Sequence, residues 1–120
     1  MDIEQLRAYC LDKNGTTESL PFGPSALVFK VMNKMYLLIG LDDAEPSFNA
    51  KCDPEKAIQL REEFPDFVQP GYHMNKKYWN TVSLSPELSD DFIKEQIDHS
   101  YGLVVDGLTK KQRAELQQNL

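Results

Sequence analysis

Apolar residues recur along this chain at two different spacings, which predict helices in some stretches and strands in others. Residues 2–12 and 89–107 carry an apolar residue every three or four positions, whereas the stretches between them contain short apolar or alternating runs. The pattern predicts helices at residues 2–12, 53–63, 89–107 and 109–119, and strands at residues 26–32, 35–41, 47–52, 68–72 and 79–84. This order, α-β(3)-α-β(2)-α plus a terminal helix, predicts an α+β fold. We expect two layers, with an antiparallel sheet of about five strands that carries helices chiefly on one side.

Capping and turn residues support several of these boundaries. Asp53 followed by Pro54 is typical of a helix start, because Asp accepts from free backbone N–H groups and Pro suits the first helical position. Thr109 and Gln112 form a capping-box pattern at the start of the last helix. Residues 16–24 contain two prolines and a glycine, and they are predicted to form a loop.

The first two strands are predicted to form a hairpin around Asn33-Lys34, because Asn tolerates the positive φ of a tight turn. In that register one face consists of Leu27, Phe29, Val31, Tyr36 and Leu38, and the other of Val28, Lys30, Met32, Met35, Leu37 and Ile39. Both faces are mostly apolar, and only one of them is needed to pack against the helices. The second face is therefore either covered by the terminal helix, whose Leu116 and Leu120 need burial, or it contacts a protein partner. In the partner hypothesis the contact residues are Val28, Met32, Met35, Leu37 and Ile39.

The composition is that of one ordinary globular domain covering residues 1–120, with 41% apolar and 27% charged residues. No apolar run has the length of a membrane span, and the polar, acidic start is unlike a secretory signal, so we expect a cytoplasmic protein. The two cysteines, Cys10 and Cys52, are expected to be buried, reduced thiols.

The charges are unevenly distributed along the chain. The net charge of −6 argues against indiscriminate binding to nucleic acid, which depends on cations that replace counterions on phosphate. Residues 19–41 and 67–86, however, contain four lysines and no Asp or Glu. Strands are generally depleted in acidic residues, so this segregation reflects either ordinary strand composition or a surface of positive potential.

Residues 70–84 are the most informative segment. They hold the only Trp, Trp79, one of the two His, His73, and an adjacent lysine pair at positions 76 and 77. Asn75 is predicted to cap a single helical turn just before the last strand. Lysines beside aromatic and hydrogen-bonding side chains are typical of a surface that contacts phosphates and stacks on bases.

The sequence resembles the MmcQ/YjbR family, small bacterial proteins of poorly defined function. The resemblance is carried by residues 18–23, 49–55, 70–76, 79–82 and 98–104, which keep their order and spacing. It implies a two-layer fold related to the secretion-chaperone and CyaY-like architectures. It also implies a DNA-binding role, because the family commonly carries that label.

These observations predict a non-enzymatic binding domain whose ligand is DNA or another anionic partner. The candidate contact residues are Lys51, His73, Asn75, Lys76, Lys77 and Trp79. For some of them a structural role is an alternative, with Trp79 in the core and Asn75 as a cap. The protein-interaction module described above is the alternative function.

Enzymatic chemistry has little support in the sequence. His73 has no Asp or Glu among its near sequence neighbours, so a catalytic role would need a carboxylate supplied from elsewhere in the fold. The chain has no GxSxG motif and no glycine-rich phosphate loop. The His and Cys residues lack the spacing of metal ligands, and we predict neither a metal nor a cofactor.

Overall fold

The computed structural model describes residues 1–118 and contains four helices and one six-stranded sheet. The helices are α1 (Ile3–Leu11), α2 (Pro54–Glu63), α3 (Asp90–Asp106) and α4 (Lys110–Gln117). The strands are β1 (Thr16–Ser19), β2 (Ala26–Val31), β3 (Lys34–Gly40), β4 (Ser47–Lys51), β5 (Val68–Pro70) and β6 (Trp79–Ser83). The strands lie in the order β1-β2-β3-β4-β6-β5, and every neighbouring pair is antiparallel. The predicted α+β class is confirmed, whereas the predicted end of the last helix at residue 119 lies outside the described residues.

The four helix starts follow the capping rules. Asp2, Asp53, Ser89 and Thr109 each accept a hydrogen bond from a backbone N–H of the first helical turn, and Thr109 forms a full capping box.

Within residues 1–118, no helix is long and apolar enough to cross a membrane.

The sixth strand is β1, which the sequence pattern places in a loop. Its four residues are polar, so they show no apolar alternation, yet they pair with β2 in regular register from Thr16–Val31 to Ser19–Val28. A bidentate ion pair from Arg7 of α1 to Glu18 holds this edge strand against the helix layer, with Nε 2.7 Å from Oε2. Strand pairing and this ion pair therefore form the strand, while side-chain hydrophobicity contributes little.

The hydrophobic core lies between one face of the sheet and the helices. Its largest fully buried members come from α1, β2, β3, β4 and α3: Leu6, Phe29, Tyr36, Leu37, Ile39, Phe48, Ile93 and Ile97. The terminal helix joins the same side through Leu116, whose backbone carbonyl accepts from Asn14 Nδ2 at 2.8 Å. The expectation that this helix could cover the second face of the hairpin is wrong.

The hairpin turn lies one residue earlier than predicted. Met32 and Asn33 both have positive φ, of 48° and 65°, as a two-residue type I′ turn requires. Phe29 is paired with Leu37 and Lys30 with Met35, which leaves Tyr36 as an extra residue in a β-bulge. The turn displacement alone keeps the predicted faces, and Met35 and Tyr36 lie where the prediction places them. The bulge places the residues that follow it, Leu37 to Gly40, on the opposite faces from those predicted.

This correction removes most of the predicted partner surface. Leu37 and Ile39 are 0% exposed in the core, and Met32 packs against that core. Val28 is also fully buried. Of the five predicted partner residues, only Met35 is directed to open space on the helix-free face.

Candidate functional site

The helix-free face of the sheet carries a cleft of about 590 Å³, which we call the open-face cleft. It is lined by Phe22, Ala26, Met35, Leu38, Gly40, Asp43, Ser47, Asn49, Tyr72, His73, Met74 and Thr81. Strands β2, β3, β4 and β6 supply the floor, and two loops supply the walls. The lining is mainly apolar, with a few polar groups, which is the composition typical of small-molecule sites.

Two exposed aromatic side chains form the opposing walls. Phe22, from the connection between β1 and β2, is 70% exposed, and Tyr72, from the connection between β5 and β6, is 69% exposed. Leaving such rings in water is unfavourable, since burial of a Phe side chain contributes about 1.5–3 kcal/mol. Large apolar side chains that remain exposed around a concave surface mark it as a binding site.

The loop that carries Tyr72 is folded back over the sheet by backbone contacts. The N–H of Gly71 donates to the carbonyl of Trp79 at 2.9 Å, and the N–H of Tyr72 donates to Thr81 Oγ1 at 3.0 Å. A Cβ atom at Gly71 would lie 2.8 Å from Trp79 Cβ and 2.9 Å from its carbonyl oxygen, so only glycine allows this approach. His73 follows with φ of 59°, and its ring packs against Tyr72 with the centroids 4.0 Å apart.

Arg61 of α2 fixes the other end of the same loop. Its Nε donates to Asn80 Oδ1 at 2.7 Å, and its Nη2 donates to the carbonyls of Trp79, at 3.3 Å, and Lys76. Arg61 therefore connects the helix layer to the loop that walls the cleft.

The polar groups of the cleft come from β4, β6 and the acidic turn after β3. Thr81 Oγ1 donates to Asn49 Oδ1, which completes a chain of hydrogen bonds from the Tyr72 N–H. Asn49 is only 8% exposed, and among the described residues its Nδ2 has no hydrogen-bond partner. Asp43 bends over β3, where a Cβ atom at Gly40 would lie 2.5 Å from its Oδ2.

The structure distributes the predicted contact residues over two places. His73 lines the cleft, whereas the other five do not. Lys51 and Trp79 are directly opposite each other in β4 and β6, and Lys76 and Lys77 are exposed in the loop before β6. Asn75 Oδ1 accepts from the Lys77 N–H at 3.0 Å, as the capping alternative predicts.

Five lysines share one end of the sheet. The strand register places Lys30, Lys34 and Lys51 at this end, and the adjacent loop adds Lys76 and Lys77. We call it the lysine end. The connection between β3 and β4, at the opposite end, carries Asp42, Asp43 and Glu45. The predicted role of these lysines in DNA binding stays a prediction.

The remaining reactive groups have structural roles. Cys10 and Cys52 are buried as predicted, and burial raises the thiol pKa to about 12 and about 11 respectively, so both remain protonated and inert at neutral pH. His99 Nε2 accepts from the Asp53 N–H at 3.1 Å and joins α3 to the start of α2, while burial and then the charge of Lys56 lower its pKa. In the described part of the chain, no group of three or more His, Cys, Asp or Glu side chains is placed to hold a metal ion.

Several cleft residues were not among the sequence candidates. Phe22, Leu38, Asp43 and Asn49 lie in four separate segments, and only the strand register brings them together. The sequence contained a signal for one of them, Phe22. Phe22 lies between Pro21 and Gly23, and residues so placed in a turn rarely enter a core.

The fold and the cleft define a class of small two-layer α+β domains with one sheet face covered by helices and a cleft on the other. Comparison of the sequence with known families is consistent with this class, since the YjbR family model matches residues 11–103. The chain belongs to the YjbR family, which confirms the resemblance seen in the sequence.

Its relatives include two uncharacterised proteins of Escherichia coli. YbdF of strain O157:H7 is 41% identical over 91 residues, which cover 76% of this chain and 74% of YbdF. YjbR of strain K12 is 33% identical over 118 residues, which cover 98% of this chain and 99% of YjbR.

Two solved structures share the fold. Protein DR2400 of Deinococcus radiodurans, which contains a DUF419 domain, superposes with a TM-score of 0.89 at 37% identity, covering 96% of this chain and 87% of that protein. A protein from Pseudomonas syringae superposes with a TM-score of 0.75 at 28% identity, covering 86% and 98% of the two chains.

Proposed function

We propose that this protein is a binding domain whose ligand occupies the open-face cleft. The observation that carries the proposal is a cleft of about 590 Å³ between two aromatic rings that are more than two-thirds exposed. Its volume lies within the range of roughly 300–1,000 Å³ that is usual for small-molecule sites. The two buried free thiols suit a reducing compartment, and we infer a cytoplasmic location.

Four of the five segments that carry the family resemblance supply cleft residues. Residues 18–23 provide Phe22, residues 49–55 provide Asn49, residues 70–76 provide Tyr72, His73 and Met74, and residues 79–82 provide Thr81. These segments come from the β1–β2 connection, from β4, from the β5–β6 connection and from β6. Their convergence on one concave surface supports a binding role for that surface.

The cleft offers contact area and hydrogen bonds, and its geometry gives no support to a catalytic role. No carboxylate among residues 1–118 is hydrogen-bonded to His73, the residue for which catalysis was considered. A general base needs such an orienting partner or a nucleophile within reach. Binding is therefore the function that the geometry supports best.

Replacing Phe22 with Ala should weaken binding to the cleft about tenfold or more. The ring contributes apolar contact area only when a ligand is bound, and the loss of about 1.4 kcal/mol or more follows from the usual value for burying Phe. The measurement is a fluorescence titration with N-phenyl-1-naphthylamine, a neutral apolar dye. Because Phe22 is 70% exposed, the variant should fold normally, which circular dichroism would verify.

The matched control is Ile58→Ala on the solvent side of α2. Ile58 is 53% exposed and does not line the cleft, so its truncation should leave dye affinity unchanged. The proposal would be contradicted if both variants lost dye affinity to the same extent, or if dye binding did not saturate at one site.

Nucleic-acid binding at the lysine end is a second candidate function. The observation that favours it is the segregation of five lysines at one end of the sheet, with three acidic residues at the other. DNA bound there would contact Lys76, Lys77 and the nearby Trp79, and its affinity would fall steeply with salt. This contact surface is separate from the cleft, so the two candidates predict different sets of perturbed residues.

A further inference from the structure

We propose that the open-face cleft selects an organic amine, and this inference rests on the function proposed above. The ligand has an apolar or aromatic body, a protonated nitrogen at the Asp43 end and a hydrogen-bond acceptor at the Asn49 end. The proposal stands on the unpaired polar groups of the cleft, on its aromatic walls and on the charge distribution along it.

Asp43 is the charged anchor. Its neighbour Asp42 accepts a hydrogen bond from Ser25 Oγ, but in residues 1–118 no side chain donates to Asp43, and no Lys or Arg lines the cleft. Its carboxylate lies over Gly40, at the edge of a mainly apolar surface. Asp43 is exposed and has no cationic partner among the cleft residues, so it is free to form a surface ion pair with a ligand cation.

Asn49 is the second anchor. Its side chain is more than nine-tenths buried, its Oδ1 is already bonded to Thr81, and its Nδ2 remains without a partner in the described structure. This donor faces the cleft and no protein group accepts from it, so a ligand acceptor at this position would gain a hydrogen bond that the protein does not supply.

The spacing of the two anchors limits the size of the ligand. Asn49 is directly opposite Leu38 in the β3–β4 ladder, and Gly40, beneath Asp43, is two residues further along β3. Two residues of an extended strand span roughly 7 Å. A single aromatic ring with one substituent at each end matches this distance.

The walls and the surrounding charges favour the same orientation. The faces of Phe22 and Tyr72 attract cations as well as apolar groups. The lysine end begins next to Met35, which is paired with Lys30, so the potential becomes more positive away from Asp43. A protonated nitrogen is therefore favoured near Asp43, and the electron-rich acceptor is favoured nearer the lysines.

Three small probes test the proposal, with dissociation constants measured by NMR titration of the labelled protein. They are 4-(aminomethyl)benzamide, which is cationic, 4-methylbenzamide, which is neutral, and 4-(carboxymethyl)benzamide, which is anionic. We expect the amine to bind about threefold to fivefold more tightly than the neutral probe and the anion to bind most weakly. Asp43→Asn should reduce the preference for the amine to less than about twofold, because the affinity for the amine should fall more than the affinity for 4-methylbenzamide.

Asp42→Asn is the matched control, because it removes the same charge from the neighbouring position, where the carboxylate is bonded to Ser25. It should keep most of the preference for the amine. The inference would be overturned if the three probes bound with equal affinity, if the anion bound more tightly, or if Asp43→Asn kept the full preference for the amine. In each case the cleft would remain the binding site. If the probes fail but N-phenyl-1-naphthylamine binds, only the inference is overturned. If none of the four compounds binds, both the inference and the proposed function are overturned.

Discussion

Replacing Ser100 with Ala should reduce the free energy of unfolding by about 2–4 kcal/mol, although it removes only one oxygen atom. Ser100 is 0% exposed on α3, and its hydroxyl connects two strands. Its Oγ accepts from the Lys51 N–H at 2.8 Å and donates to the Tyr36 carbonyl. The variant leaves both backbone groups buried and unpaired, at about 1–3 kcal/mol each. Urea denaturation followed by circular dichroism measures the loss.

The reason for this bridge lies in the β-bulge. Tyr36 is the extra residue of β3, and the regular β3–β4 pairing ends at Leu37 and Ala50. Lys51 and Tyr36 follow directly, where a regular ladder would have paired their backbone groups with each other. The hydroxyl of Ser100 takes the place of that missing contact.

Ser19→Ala is the control for this experiment, since Ser19 is exposed on the edge strand β1 and should change stability by less than about 0.5 kcal/mol. If Ser100→Ala lowered the free energy of unfolding as little as Ser19→Ala, the hydrogen-bonded bridge would not be needed for the bulged sheet.

Replacing Arg61 with Ala should cost about 2–3 kcal/mol of stability and should also loosen the loop of residues 71–78. The guanidinium bonds to Asn80 Oδ1 and to two loop carbonyls, and hydrogen bonds to charged groups contribute about 1.5–3 kcal/mol. Asn80 is 2% exposed, and its Nδ2 already lacks a partner in the described structure, so the variant would leave its whole amide unpaired. Urea denaturation measures the stability, and amide hydrogen exchange of the loop measures the local effect.

Arg61→Lys separates charge from geometry. Lys keeps the positive charge but lacks the planar fork that reaches three acceptors, so most of the loss should remain. Arg113→Ala, on the exposed side of α4, is the control and should be nearly neutral. If Arg61→Lys is as stable as the native protein, or if loop exchange is unchanged in Arg61→Ala, the anchoring role is contradicted.

The sequence predicts the helices of this fold well because their signals are local. The caps at Asp53 and Thr109 and the apolar spacing of α1 and α3 need no information from other parts of the chain. Strand β1 was missed because its polar residues are ordered by pairing with β2. The faces of Leu37, Leu38 and Ile39 were exchanged because the extra residue of the bulge, Tyr36, reverses the alternation of the side chains that follow it.

The site was only partly predictable for a related reason. The segment at residues 70–84 attracted attention through its aromatic residues, and it does supply one wall of the cleft. Its lysines, however, lie away from the cleft, at the lysine end. The other wall and the polar anchors lie in residues 22, 43 and 49, which no local pattern connects.

The most direct test of the proposed function uses the four methionines as reporters. Met35 and Met74 line the open-face cleft, whereas Met1 and Met32 pack against the core on the helix side. With ¹³C-labelled methionine methyl groups, titration with N-phenyl-1-naphthylamine should shift the resonances of Met35 and Met74 and leave those of Met1 and Met32 in place. Unchanged Met35 and Met74 resonances, with perturbation confined to the amides of Lys76, Lys77 and Trp79, would contradict a binding role for the cleft.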